Sequence, residues 1–326
     1  MKRPHAFITG IAGFAGSFLA EELLAHGYTV SGSTNTKEPL RNLKDIQKKL
    51  NLVELDITNA KKTEQIVIRL KPDYMFHLAA IASVGKSFEM ERLTFDVNLS
   101  GTVNLLEAAK QTRSLKRFLF VGSADCYGKF SPVNKTLREN QPLNPISPYG
   151  ISKAAAEQTS LYYFRQHGLP VVITRAFTHS GPRQTDSFVV PSFAKQVAMI
   201  EAGIQKPIIS VGDLSARRDI SDVRDIVSGY RLAVEKGVPG EIYQLSSGKS
   251  VEVKKLLEGL VSLSSAKIKV GVDKARLRKS DIPILRGDNR KAVEQLGYKS
   301  RYSVRETLQE TLQYWRTEVR SMRKKG

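Results

Sequence analysis

Tyr149 and Lys153 stand four residues apart in the run Tyr149-Gly150-Ile151-Ser152-Lys153, a spacing that stacks two side chains on one face of a helix. A phenol titrates near ~10 and is a poor base at neutral pH. An ammonium group beside it favours the ionised form and is expected to lower that value. Such a pair can pass a proton to or from a carbinol or carbonyl oxygen while a hydride moves at the attached carbon. The spacing is common on helices by chance, so its meaning depends on what surrounds it.

The surrounding elements read as a parallel sheet wound with helices. Apolar runs at residues 6–9, 28–31, 52–55, 74–78, 117–121 and 171–175 are expected to be buried strands. Residues 14–25 carry Phe18, Leu19, Leu23 and Leu24 at helical spacing, with Gly27 as a stop. Residues 98–112 and 148–166 are expected helices, the second following a loop rich in Pro and Asn, and a terminal helix is expected near 303–322. The fold class is therefore α/β: a doubly wound, Rossmann-type parallel sheet with a smaller mixed carboxyl-terminal lobe. Residues 1–180 are expected to bind a dinucleotide, with about 215–245 returning to that part, and 181–326 to form mainly the substrate lobe. Ligands belong at the carboxyl ends of the strands, between the two parts.

Directly after the first expected strand comes Thr9-Gly10-Ile11-Ala12-Gly13-Phe14-Ala15-Gly16. Glycines there allow a tight turn, close approach of a pyrophosphate and packing of the helix on the sheet. The helix start offers unpaired N–H groups to the phosphates. A glycine pattern alone is weak, but this one lies between a strand and a helix. It predicts a dinucleotide, and Lys153 would hold its nicotinamide ribose. The region 31–37 (SGSTNTK) has no acid before Glu38, and Lys37 and Arg41 are near. An acid normally holds the ribose hydroxyl of NAD, so the cofactor is expected to be NADP or NAD, with NADP favoured.

The spacing G-x-x-G-x-x-G, with Tyr149 and Lys153, resembles the extended short-chain dehydrogenase/reductase (epimerase/dehydratase) family. Thr178-His179-Ser180-Gly181-Pro182, Phe188-Val189-Val190-Pro191, Arg217-Arg218-Asp219 and Arg276-Leu277-Arg278 extend the resemblance to the GDP-4-keto-6-deoxy-mannose reductase and GDP-mannose 4,6-dehydratase branch, over nearly the whole chain. It implies cofactor contacts from Gly10, Gly13, Phe14, Ala15, Gly16, Thr34, Asn35, Asp56, Ile57, Leu78, Ala79, Ala80, Asn98, Tyr149, Lys153 and Phe177. It implies substrate contacts from Ser83, Val84, Thr178, Val190, Ser192, Lys195, Arg218 and Arg278, the two arginines on the diphosphate. Ser123 matches the hydroxyl that bonds the reacting oxygen, although a strand-end serine can also merely cap a turn. Asp125 stands where dehydratases carry Glu, and Ala124 where relatives have Ser or Asp. The shorter carboxylate is displaced by about 1 Å and Ala124 offers no acid, which weakens dehydration and leaves carbonyl reduction intact. Thr178 replaces the Asn of relatives, offering one hydroxyl in place of an amide.

These features predict an enzyme that reduces a 4-keto sugar on a nucleotide, GDP-4-keto-6-deoxy-mannose above others, with Tyr149 as proton donor and Ser123, Asp125, Tyr149 and Lys153 as the catalytic set. A 4,6-dehydratase or 4-epimerase is the alternative among enzymes. A non-catalytic dinucleotide sensor is the alternative of another class, though it has no need of a proton relay. Composition excludes little: 326 residues, 41% hydrophobic and 25% charged, suit an ordinary globular chain. The single Cys126 rules out intramolecular disulfides, and no metal site is expected. No apolar run approaches the ~20 residues of a membrane span, and no signal peptide is read at the amino end. The net charge of +19 is spread along the chain, densest at 316–325 (RTEVRSMRKK). It is read as basic surface, so neither nucleic acid nor membrane is an expected partner. A cytoplasmic homo-oligomer, dimer or tetramer, is the expected state.

Overall fold

The computed structural model describes residues 3–35, 39–129, 136–276 and 282–323. Its first half runs β1 (His5–Thr9), α1 (Phe14–Ala25), β2 (Thr29–Thr34), β3 (Leu50–Glu54), α2 (Ala60–Leu70), β4 (Tyr74–His77), the short α3 (Val84–Ser87) and α4 (Glu91–Phe95), α5 (Gly101–Lys110), β5 (Arg117–Ser123), α6 (Pro148–His167) and β6 (Val171–Ala176). Then follow β7 (His179–Ser180), α7 (Val189–Glu201), β8 (Ile208–Val211), β9 (Arg217–Asp219), β10 (Ser221–Asp222), α8 (Val223–Lys236), β11 (Ile242–Leu245), β12 (Ser250–Glu252), α9 (Val253–Ser262), β13 (Lys269–Val272), β14 (Ile284–Leu285) and α10 (Val304–Arg323).

Seven strands form one sheet in the order β11-β6-β5-β4-β1-β2-β3, every pairing parallel. This is the expected doubly wound sheet. Strands covered on both faces are mostly apolar; all six residues of β6 are buried, Thr174 and Arg175 among them. One face is covered by α1 and α8, which pack on each other and share a core with Leu19, Leu23, Ile226 and Tyr230. The other is covered by α2, α5 and α6, around Leu105, Leu106, Phe118 and Ala156. A further core joins α7, α9 and α10 through Val197, Leu256, Leu260, Leu312 and Trp315.

The sheet order reverses between β1 and β4, so the crevice for a ligand opens beyond the carboxyl ends of those strands. The helix expected over 98–112 starts later. A π-type turn (Asp96–Ser100) precedes α5, where the Thr102 hydroxyl donates to the Asn98 carbonyl at 2.6 Å. At the basic end of α10, Arg316 is committed to Glu201, with two bonds of 2.7 Å. Among the described residues no helix is long and apolar enough to cross a membrane, and no group of three or more His, Cys, Asp or Glu residues is placed to hold a metal ion.

Candidate active site

The glycine loop is built by two close approaches. Gly10 has φ +70°, and a Cβ there would stand 3.0 Å from the Ala79 Cα. A Cβ on Gly16 would stand 2.2 Å from the Gly10 carbonyl oxygen, so α1 can rest on the loop only with glycine at this position. Gly13 is the N-cap of α1 and carries no capping side chain, which leaves the first helical N–H groups to a ligand. Asn42 Nδ2 holds the Ala12 carbonyl at 3.0 Å, and Ile11 N bonds the Ser33 carbonyl at 3.2 Å.

Behind the loop, a directed chain of hydrogen bonds joins β1, β4 and α5. The Thr9 hydroxyl accepts from Leu78 N at 3.2 Å and Ala79 N at 3.1 Å, so its own proton goes to His77 Nδ1 at 2.8 Å. His77 Nε2–H then donates to Thr102 Oγ1 at 2.9 Å. The imidazole is neutral, and its pKa is pushed down to about 3 by burial and then by the charge of Lys153. Leu78, Ala79 and Ala80 emerge from this chain as one wall of a cavity of about 1150 Å³.

Gly10, Gly13, Phe14, Ala15, Gly16, Asn35, Asp56 and Ile57 line the same cavity, and so do Ser123, Asp125, Tyr149 and Lys153. Helix α6 places the last two. Ser147 is its N-cap, accepting from Gly150 N at 3.0 Å, and Pro148 follows at the first helical position. Tyr149 thus lies in the first turn and Lys153 one turn on. Lys153 is 4% exposed, with its Nζ 4.5 Å from the Phe120 ring centroid. Burial lowers its pKa to about 8, while Cys126 and Glu157 act the other way. The Tyr149 phenol is pushed up from its ordinary value, first by burial and then by Asp125; only its bond to Ser123 opposes this. The sequence expectation of a phenol lowered by Lys153 is thus not met: burial and the Asp125 charge raise it. Ser123 Oγ donates to Asp125 Oδ2 at 3.2 Å, and Ala124 is buried with no polar group to offer.

Four expected contacts fall away from the cavity. Asn98 is 1% exposed and braces structure: Oδ1 accepts from Ile81 N at 2.8 Å, and Nδ2 donates to Ile81 O at 3.2 Å and Ser152 Oγ at 3.0 Å. Thr34 ends β2 beside Glu54, and its neighbours Ser33 and Asn35 line the cavity instead. Val190 is turned into the core shared by α7, α9 and α10. Lys195 pairs with Asp186 at 2.7 Å and lies 5.5 Å over the Trp315 ring. Arg278 lies outside the described residues, as do Lys37 and Glu38. Arg41 is paired with Glu318 at 3.6 Å.

Ser83, Val84, Phe177, Thr178, Ser192 and Arg218 do line the cavity. Arg218 Nη1 donates to the Ile282 and Arg217 carbonyls at 2.7 and 3.0 Å, which steadies it at the wall. His179, given no role from sequence, stacks on Phe14 with centroids 5.8 Å apart. Sequence reasoning missed Asp186, Phe188, Asp213 and Arg276. Arg276 donates to Ser192 Oγ at 3.3 Å, and Gly212 lets its backbone close in, since a Cβ there would stand 2.5 Å from the Arg276 carbonyl oxygen. The signal for Arg276 is the matched Arg276-Leu277-Arg278 run itself.

The GDP-mannose 4,6 dehydratase family matches residues 7–311. GDP-6-deoxy-D-mannose reductase of Pseudomonas aeruginosa is 31% identical, over 96% of this chain and 98% of its own. GDP-mannose 4,6 dehydratase 1 of Arabidopsis thaliana is also 31% identical, over 91% and 85%. Among solved structures, RMD from Pseudomonas aeruginosa complexed with NADPH superposes with a TM-score of 0.82 at 28% identity, covering 97% of this chain and 99% of that one. UDP-glucose 4-epimerase of Thermus thermophilus in complex with NAD gives 0.86 at 27%, covering 96% and 99%.

Proposed function

The chain belongs to the GDP-mannose 4,6 dehydratase family, and within it we propose that this protein reduces the 4-keto group of a GDP-linked 6-deoxy sugar, GDP-4-keto-6-deoxy-mannose above others. The observation that carries this reading is the make-up of the reactive wall. Ser123, Tyr149 and Lys153 share one cavity with the glycine loop, while the positions beside Ser123 are Ala124 and the short Asp125. The 31% identical relative over nearly the full length, named a reductase, supports the same choice.

The glycine loop fits a dinucleotide, because Gly10, Gly13 and Gly16 line the cavity and the uncapped start of α1 offers its first N–H groups to phosphates. When bound, the reduced nicotinamide supplies the hydride. Tyr149, held protonated by burial and by Asp125, gives its proton to the keto oxygen. Ser123 turns its hydroxyl from Asp125 to the same oxygen, and the Lys153 ammonium stabilises the phenolate that remains. Arg218 and Arg276 offer guanidinium forks for the diphosphate. NADPH is the preferred form in this reading, since the end of β2 presents the uncharged Ser33 and Asn35 to the cavity. The reading includes a cytoplasmic location and a homo-oligomer, the latter supported by the exposed apolar Phe88 and Ile151.

The test is incubation with the GDP-linked 4-keto sugar and each reduced cofactor in turn, following cofactor absorbance. One cofactor oxidised per alcohol formed is the expected result. GDP-mannose given in a parallel incubation and converted without net change of cofactor replaces the reductase reading with a dehydratase or epimerase.

A further inference from the structure

Helix α6 carries a third polar residue in register with the reactive pair. Glu157 follows Lys153 by four positions, so residues 149, 153 and 157 run along one helix face. Its side chain is 0% exposed and holds Arg175 of β6 with two bonds, 2.8 Å to Oε2 and 2.6 Å to Oε1. Arg175 is 3% exposed, and its Nη1 also donates to the Tyr127 hydroxyl at 2.6 Å and the Glu139 carbonyl at 2.9 Å. Tyr127 closes the short turn Ala124–Tyr127, which starts at Ser123. Gln244 of β11 donates to that same hydroxyl.

The pair lies directly under the reactive strand end. A Cβ on Gly122 would stand 2.9 Å from the Thr174 carbonyl oxygen and 3.4 Å from Glu157 Oε2. Taking both charges out of water costs desolvation that their attraction only partly returns, so a buried pair is a poor means of stabilising a fold. A role in geometry and charge accounts for it better.

We propose that Glu157 and Arg175 are positioning residues for the reaction: Glu157 holds the Lys153 ammonium from behind, and Arg175 ties that helix face through Tyr127 to the turn bearing Ser123 and Asp125. The proposal rests on the reading of Tyr149 and Lys153 as the proton-transfer pair. The groups that act on Lys153 are His77 from β4, Cys126 from the turn after β5 and Glu157 from α6, with Tyr149 one turn before it on the same helix, while Asp125 and Arg175 act on Cys126 beside it. His77 is neutral, and the buried Cys126 thiol is pushed up to about 12. Of the two groups that favour the Lys153 ammonium, the buried Cys126 thiol keeps its proton, which leaves the Glu157 carboxylate, paired with Arg175, as the one that acts as a charge.

The full chain is compared with Glu157→Gln, Arg175→Gln and the double variant, by melting, by NADPH binding across pH and by turnover across pH. Glu157→Gln should move the alkaline limb of NADPH affinity and of kcat/KM to lower pH by about one unit, and lower kcat about tenfold. Both single variants leave a buried charge unpaired and should melt lower. The double variant should regain most of that melting temperature yet keep the displaced limb, because Lys153 still lacks the Glu157 charge. Recovery of both melting and limb would reduce the pair to a structural one and overturn the proposal, as would a folded Glu157→Gln with the wild-type limb. If the single variant does not fold, the double variant decides. A wild-type chain that binds NADPH but reduces no GDP-linked keto sugar sinks the proposed reaction instead, and the binding limb still reports on the pair.

Discussion

The Ser123 hydroxyl donates to Asp125 Oδ2 at 3.2 Å, and its oxygen accepts the Asp125 backbone N–H at the same distance. This reciprocal pair sets Asp125 as the resting acceptor of the Ser123 proton. It also keeps a carboxylate near Tyr149, where it favours the protonated phenol. A keto reduction needs that phenol proton and removes no proton from carbon. Asp125→Asn should therefore keep turnover within about tenfold, because the amide still accepts from Ser123. The alkaline limb of kcat, set by Lys153, should stay in place, because the raised phenol keeps its proton across that range with or without Asp125. If Asp125 were the base of a dehydration, the loss would be about 10²- to 10⁴-fold, and a measured loss of that size refutes the reduction.

Tyr149→Phe removes the only proposed proton donor and leaves the helix face otherwise intact. The kcat for keto reduction should fall by about 10²- to 10⁴-fold. NADPH affinity, read by fluorescence quenching, should stay within a few-fold. Turnover surviving the change would assign the proton to another group.

On the substrate side, geometry separates two cations that look alike in sequence. Lys195 is committed to Asp186 at 2.7 Å and stands over Trp315, whereas Arg276 lines the cavity beside Ser192 and has only a looser pairing, 3.5 Å, with Asp273. Arg276→Ala should raise KM for the nucleotide sugar by roughly tenfold, about the loss of one charge-assisted bond at a partly exposed site. Lys195→Met should change it less than about threefold. The opposite ranking in steady-state kinetics would return Lys195 to the site.

The sheet was legible because strands buried on both faces carry apolar runs, as at residues 6–8 in β1, 118–121 in β5 and 171–173 in β6. The glycine loop and the Tyr149–Lys153 pair were legible because their chemistry demands fixed spacing. What similarity of a segment does not convey is which side of a helix faces the ligand. On α7, Val189, Ser192 and Phe193 share the cavity face at i, i+3 and i+4, whereas Val190 lies on the face turned to the core. Asn98 misled for a similar reason. Its amide faces the Ile81 backbone and Ser152, so it shapes the site from outside the cavity. The sign of the Tyr149 shift was hidden too, because burial is a property of the packed chain.

His77 gives the fold an acid dependence of defined sign. The native imidazole, with a pKa near 3, stays neutral while the unfolded chain takes up a proton below about 6.5. Its contribution is complete above that value and is lost as pH falls toward 3, at up to about 1.4 kcal/mol per pH unit. Melting temperature from about pH 7 to about pH 5 should therefore fall more steeply for the wild type than for His77→Gln. Equal slopes would show that the Thr9–His77–Thr102 chain admits a charged imidazole.

Gly16→Ala tests the cradle itself. The new methyl would stand 2.2 Å from the Gly10 carbonyl oxygen and 2.9 Å from the Ile11 Cα, both backbone atoms that cannot swing aside. Either α1 lifts or the loop opens, at about 1–3 kcal/mol of strain. The loop that moves is the one proposed to meet the pyrophosphate. The expected outcome is a lower melting temperature together with NADPH affinity weakened at least tenfold. Gly85→Ala is the control. Its methyl would meet only Ser83 Oγ at 3.9 Å, and alanine suits a helix better, so melting should hold or rise slightly. If Gly16→Ala binds NADPH as tightly as the wild type, the phosphates do not rest on this loop, and the placement of the dinucleotide is wrong.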